Sequence, residues 1–248
     1  MQRPIPQLQN RLLAALPADE LARLSPHLSA VELDRGRTIC EPGDPIEQAY
    51  FPVTGVISLM TLMESGAAIE SAMIGPEGAF GLAAAAAPRV AQGRAVVQSP
   101  LRAYRIGIGP LHEFWLTSAT LRQLADRHGE GLYAHAAQSV ACNALHSVEE
   151  RFCRWLLSCH DRIHGDTLAL TQEFLADMLG VQRTTVTAVA RSLQEKGAIR
   201  YRRGQVDIID RSVLEAGACE CYGVVRRAYD RLIPPSSQEV RAETAAQL

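Results

Sequence analysis

Residues 170–210 read LTQEFLADMLGVQRTTVTAVARSLQEKGAIRYRRGQVDIID. The hydroxyl of Thr171 suits a helix N-cap, and Phe174, Leu175, Met178 and Leu179 then make an apolar face over two turns, until Gly180 offers the left-handed stop. A second helix follows, with Val186, Val189, Ala190 and Leu193 at i, i+3, i+4 and i+7. Its opposite face carries Thr184, Thr187, Ala188 and Arg191, with Gln182 and Arg183 at its start. Two short helices joined by a tight turn, the second showing a small, polar and cationic face outward, have the build of a helix-turn-helix that enters a major groove. Next, AIRY and QVDII alternate as strands joined through RRG, a β-hairpin with arginines at its tip.

Charge sharpens this reading. Between 182 and 203 stand Arg183, Arg191, Lys196, Arg200, Arg202 and Arg203 against Glu195 alone, a net of +5 on a chain whose formal charge is −2. A local cationic patch on an acidic chain is the footprint that phosphate binding leaves. Position divides the labour: Gln182, Arg183, Thr184, Thr187 and Arg191 are expected to read base edges, and Thr171, Lys196, Arg200, Arg202 and Arg203 to hold phosphates.

The rest of the chain must supply other parts. Its 248 residues, 47% hydrophobic, allow one large domain or two ordinary ones with real cores. No stretch reaches the roughly 18 apolar residues of a membrane span, and MQRPIPQLQN lacks the apolar centre of a signal peptide, so a cytoplasmic protein is expected. Six cysteines without a spaced framework are expected to be thiols. Residues 8–28 predict one or two short helices interrupted at Pro17. From Val31 the pattern becomes β-prone runs between turn residues: VEL, TIC, AYFPV, VISLMTLM, AAIESAMI, AVVQ and LRAYRI. That spacing predicts a small antiparallel barrel or sandwich. Beyond Pro110, Leu121, Leu124, Ala125, His128, Leu132 and Ala136 mark one face of a longer helix, which Gly129 and Gly131 weaken, so that it needs a kink or a supporting partner. SVEE at 147–150 has the capping-box pattern, opening a helix whose stripe is Leu145, Val148, Phe152, Trp155, Leu156, Cys159 and Ile163. A boundary is therefore expected between about 140 and 147.

With EPGDPIEQAYFPVTGVISLM in a β-rich first half and LTQEFLADMLGVQRTTVTAVARSLQEKG in the second, residues 10–211 resemble the Crp/Fnr superfamily of bacterial transcription regulators. The resemblance implies an α+β chain: an N-terminal antiparallel β-roll of the cyclic-nucleotide-binding jelly-roll type at 1–112, a long connecting and dimerisation helix at 113–144, a winged helix-turn-helix at 145–211, and a C-terminal helix and tail at 212–248. It also implies a homodimer on a palindromic site in double-stranded DNA, RNA polymerase as a partner, and a small-molecule or redox signal received by the β-roll.

Several residues depart from the family. Members that bind cyclic nucleotides have a glutamate after Phe-Gly and an arginine after a short helix. Here Phe80 and Gly81 are followed by Leu82, and the arginine position falls at or near Ala91, with Arg89 and Arg94 displaced. A cyclic phosphate and its ribose need a cation and an acceptor there, so cyclic AMP and cyclic GMP are not the expected effectors. With only Cys40 before residue 142, an N-terminal iron–sulfur cluster is not expected either. Where the family's cyclic AMP receptor has an arginine and a glutamate at the start of its reading helix, only Arg183 matches, and Thr184 and Ala188 imply a different operator. SVLEAGACECYGVVRRAYDRL predicts a single helix opened by a Ser212–Glu215 capping box, with Cys221 in its buried stripe. Cys219 and Cys221 would then diverge, so no metal site and no cofactor are expected. His160 and His164 share a face at a helix end, where the dipole suffices to explain them. Cys142 and His146 at i and i+4 lack an oriented acid, and no enzyme is expected. The competing reading is a small-molecule or redox sensor that acts through protein contacts with little DNA binding.

Overall fold

The computed structural model describes residues 9–202 and 204–235. Two short helices, α1 (Arg11–Ala14) and α2 (Ala18–Leu24), precede five strands: β1 (Ser29–Leu33), β2 (Thr38–Cys40), β3 (Gln48–Leu62), β4 (Ala68–Ile74) and β5 (Arg94–Gly107). All pairings are antiparallel, in the order β1-β5-β3-β4 with β2 also on β5. AYFPV and VISLMTLM are one strand, not two. Gly55 lies between them at φ 96°, and the ladder shifts register there instead of reversing. A Cβ at Gly55 would stand 2.4 Å from the Pro100 carbonyl oxygen, so glycine bends the strand as a bulge. AVVQ and LRAYRI fuse in the same way into β5 across Ser99–Pro100.

Helix α3 (Ile108–Thr117) leads into α4 (Ala119–Leu145), whose N-cap Ser118 accepts from the Leu121 amide at 2.8 Å. Of the two glycines of α4, Gly131 is met by a supporting partner, while Gly129 faces open space. At Gly131 a Cβ would meet Tyr229 Cε1 at 2.9 Å, so the missing side chain admits the last helix, α9 (Cys221–Leu232). Much of the stripe from Leu121 to Ala136 is covered within the chain itself. Leu121 and Leu124 are buried with Leu12, Phe51 and Leu111 of the same chain, and His128 Nε2 lies 2.8 Å from the Ala79 carbonyl. The exposed apolar side of α4 is the next one round, with Tyr133 76% and Val140 71% accessible and Ala137 and Ala144 between and beyond them.

Helix α5 (Val148–His160) opens on the predicted capping box, with Ser147 and Glu150 bonding reciprocally. Leu145, placed on its stripe by sequence, ends α4 and is 79% exposed, because the chain turns through His146 before α5 begins. Then come β6 (Thr167–Ala169), α6 (Gln172–Leu179), α7 (Arg183–Glu195), β7 (Ile199–Arg202), β8 (Gln205–Ile208) and α8 (Arg211–Gly217). The expected hairpin is thus a three-stranded sheet, β6-β8-β7; at three residues, β6 is too short to announce itself.

The last segment departs most from its sequence reading. Two helices, α8 and α9, replace the single one, with a break at Ala218–Glu220. Asp210, not Ser212, caps α8, accepting from the Ser212 amide at 2.9 Å, while Glu215 pairs with Arg211 at 2.8 Å. Since α8 packs on α5 and α9 on α4, two partners in different directions impose the break. Cys219 lies in it and Cys221 just after, so the premise that their side chains diverge fails.

One core joins the two halves. Val56, Met60 and Met73 of the β-roll share a buried cluster with Trp155, Leu156, Leu175, Val186 and Leu193. Polar groups cross the same seam. Glu70 on β4 accepts from Ser58 and, at 3.0 Å, from Trp155 Nε1, Gln98 donates to Cys159 Sγ at 2.9 Å, and Arg162 pairs with Glu77 at 2.8 Å.

Candidate nucleic-acid interface

Thr171 caps α6, its hydroxyl oxygen accepting from the Phe174 amide at 3.2 Å. Gly180 ends that helix at φ 62°, with Leu175, Ala176, Met178 and Leu179 buried behind it. A Cβ at Gly180 would lie 2.8 Å from Ile69 Cδ1 on the β-roll, so this turn needs glycine for both its dihedral and its close neighbour. In α7, Val186, Ala190 and Leu193 are buried. Gln182, Arg183, Thr184, Thr187, Ala188 and Arg191 are exposed, as the periodicity predicted.

The structure brings the expected base-reading residues onto one face. Thr187 bonds inward as well, donating to Gln172 Oε1 at 2.9 Å, which ties the outer helix to the first turn of α6. The phosphate set divides. Arg200 and Arg202 are exposed on one side of β7, alternating with Tyr201, whose hydroxyl donates to the Leu170 carbonyl at 2.8 Å and anchors the wing beside α6. Arg203 lies outside the described residues. Lys196 is already engaged: its ammonium pairs with Glu149, which also accepts from Ser192 at 3.0 Å. That hydrogen-bonded pairing lowers the Glu149 carboxyl and raises the Lys196 ammonium from their ordinary values. Counting charges along 182–203 missed Glu149, which comes from another helix. Gln172 and Tyr201 were missed too, since their roles depend on tertiary neighbours.

The cassette positions are hydrocarbon. Leu82 is 2% exposed, in a short turn against Leu12, Phe51 and Leu111. Ala91 is buried, its amide donating to the Asp44 carbonyl at 2.9 Å. Phe80 packs on Tyr50 with ring centroids 6.5 Å apart. A Cβ at Gly81 would meet the Gln48 carbonyl oxygen at 2.5 Å. The nearby cations are occupied: Arg94 Nε lies 2.9 Å from both Glu41 oxygens, and Arg89 donates to the Ala83 carbonyl at 3.0 Å. Beside them a cleft of about 520 Å³ is lined by Ile46, Leu59, Met60, Phe80, Val90 and Gly93 among others.

Among the remaining candidates, His160 is held between Asp166 and Arg211, at 2.8 Å each, and His164 is exposed. All six cysteines are free thiols and buried.

Two family models match this chain. Residues 150–216 match the Crp-like helix-turn-helix domain, and residues 30–116 the cyclic nucleotide-binding domain. The global nitrogen regulator of Synechococcus elongatus is 26% identical over 196 residues, covering 74% of this chain and 86% of that protein. Among solved structures, FixK2 from Bradyrhizobium japonicum is similar with a TM-score of 0.64 at 19% identity, covering 77% of this chain and 98% of that one. A CRP/FNR-family transcriptional regulator from Thermus thermophilus is similar with a TM-score of 0.59 at 25% identity, over the same shares.

Proposed function

We infer that this chain, which belongs to the Crp/Fnr superfamily of transcription regulators, binds a palindromic operator in double-stranded DNA as a homodimer. The observation that carries the inference is the outward face of α7, where Gln182, Arg183, Thr184, Thr187 and Arg191 are exposed together. Glutamine, arginine and threonine offer donors, acceptors and a methyl group, the vocabulary of a major-groove reader. Thr171, Arg200 and Arg202 flank that face as phosphate contacts, and Arg203 is assigned to the same role from the sequence alone. Lys196 joins them by exchanging Glu149 for a phosphate oxygen, at the cost of that ion pair.

The partner copy docks on Tyr133, Ala137, Val140 and Ala144 of α4, which places the two reading helices about 34 Å apart, one turn of DNA. The signal is a small molecule or a redox change; with Leu82 and Ala91 at the cassette positions, cyclic AMP and cyclic GMP are not the expected effectors. A regulator of this kind acts in the cytoplasm on RNA polymerase and catalyses nothing.

The test is to recover genomic fragments on the purified full-length protein and to titrate the enriched sequence against random DNA at several salt concentrations. An enriched inverted repeat, bound with a steep salt dependence, is expected. Equal affinity for random DNA, or no salt dependence, would refute the reading.

A further inference from the structure

We propose that Cys142, His146, Cys219 and Cys221 form a mononuclear site for a thiophilic divalent cation, with zinc as the ion that fits. Their ligand atoms all lie within 4.8 Å of one another. Cys142 Sγ is 3.5 Å from Cys219 Sγ, and Cys221 Sγ is 3.5 Å from His146 Nδ1. A tetrahedral ion with zinc–sulfur bonds of about 2.3 Å needs donor separations of about 3.8 Å. Small adjustments therefore close this set around one ion, and the space is too tight for a cluster that must fit its own sulfides between the ligands.

Local structure explains the convergence. Cys142 sits in the last turn of α4, and His146 is the extended C-cap at φ −108°, ψ 148°. Cys219 lies in the break after α8, and Cys221 opens α9. A Cys-X-Cys pair inside a helix would splay its sulfurs, whereas on this corner they meet.

The surroundings are those of ligands, not of packing. The three sulfurs form a buried cluster of their own, apart from the aliphatic cores. Glu220 Oε2 lies 3.0 Å from His146 Nε2, so that a proton held there leaves the Nδ1 lone pair facing the sulfurs, the carboxylate–histidine arrangement that orients a metal ligand. Gln138 Nε2 donates to Cys221 Sγ at 3.0 Å. Arg151 and Arg154 are buried, and the Nε of each has no hydrogen-bond partner. Packing gives these guanidinium groups no acceptor at Nε, although Arg154 also meets the charge of Glu70. Three thiolates and a neutral imidazole around a divalent ion carry a net charge of −1, which these cations offset. Binding expels three thiol protons to water and requires no oxidant or reductant.

The two ligand pairs bracket α5 through α8, so the ion clasps the entrance and the exit of the DNA-binding half. Arg151 extends the link, donating to the Leu179 carbonyl at the end of α6.

The test uses the untagged full-length chain, reduced and purified without chelator. About one zinc per chain is expected, and cobalt should replace it with sulfur-to-cobalt charge-transfer bands and the intense visible bands of a tetrahedral ion. Cys221→Ser should abolish those bands, whereas Cys40→Ser, in the β-roll, should keep them. Glu220→Ala, at a mostly exposed position, should weaken zinc by roughly 10- to 100-fold. Should Cys221→Ser fail to fold, the wild-type cobalt spectrum and the Glu220→Ala titration still decide. Absence of charge-transfer bands in the reduced wild-type chain, iron with acid-labile sulfide in place of zinc, or a Cys142–Cys219 disulfide in metal-free protein would each overturn the assignment. No readout involves DNA, so failure here is separate from failure of the operator reading.

Discussion

Glu70 and the arginines of the reading half show how differently single residues disclose their roles. Burial pushes the Glu70 carboxyl up to about 7, against the opposing effects of the Ser58 and Trp155 hydrogen bonds and the charges of Arg154 and Arg162. Unfolded, a glutamate titrates near 4.3. Between these values the folded state holds a proton that the unfolded state has released, so stability falls as pH rises through this window and levels off above about 7. Glu70→Gln keeps an acceptor for Trp155 and carries no charge. It is therefore expected to gain on the parent with rising pH, by at most roughly 3 kcal/mol, in denaturant titrations from pH 5 to 8.5. A difference that stays flat across that range would contradict the assignment. In the sequence, Glu70 is one acid in a strand, and nothing marks it as buried. Arg183 was legible, because a helix start after a glycine turn fixes where its side chain points. Arg183→Ala should cost about 1 to 3 kcal/mol on the best operator and relax one base pair per half-site. Arg202→Ala should weaken specific and random DNA alike and make the salt slope shallower by roughly one unit. Binding-site selection with each variant separates the two roles, and a consensus altered only by Arg202→Ala would reverse them.

At the scale of elements, what could be read depended on where each boundary comes from. The capping box at Ser147, the stop at Gly180 and the hairpin turn at Gly204 (φ 81°) arise from local chemistry, so α5, α6, α7 and the β7–β8 hairpin were legible. The join of two runs into β3 was not, because Gly55 serves a bulge as readily as a turn, and only the approach of Pro100 decides between them. The break between α8 and α9 has no proline, and its cause is the pull of α5 on one side and α4 on the other. With it went the thiol–imidazole cluster, since helical spacing made Cys219 and Cys221 diverge on paper. Gly180 offers a test of a boundary set twice over, by its φ of 62° and by Ile69. Gly180→Ala should lose more than the 1 to 2 kcal/mol typical of a left-handed alanine, and Ile69→Ala in the same chain should restore the steric part. If the second substitution restores nothing in thermal unfolding, the contact with Ile69 is not what constrains the turn.

For the molecule as a whole, the α+β plan was evident from the change in periodicity near residues 31 and 110, but the surface proposed for a second copy was not. Helical spacing offered Leu121 to Ala136, and the chain buries much of that stripe itself. The face that remains contains Tyr133 and Val140. Val140→Asp should therefore shift sedimentation from dimer to monomer at micromolar concentration and leave the thermal unfolding of each chain within about 0.5 kcal/mol. Leu116→Asp, exposed on α3, should do neither. A Val140→Asp protein that stays dimeric would place the interface elsewhere.

The seam between β-roll and DNA-binding half has a further consequence. Trp155 on Glu70, Arg162 on Glu77 and Gly180 against Ile69 make β4 and its flanks a common wall for the sensor and the reader. The cleft beside Met60 and Ser71 is lined by β3 and β4, so on the proposed function a molecule bound there would act on the wall that α6 and α7 pack against. Thermodynamic linkage makes that action reciprocal, since a ligand that changes operator affinity by a given factor has its own affinity changed by the same factor when DNA is bound. On the proposed function, the operator would thereby act as an effector of the β-roll: copies seated on DNA and copies free of it would respond to different concentrations of the same signal.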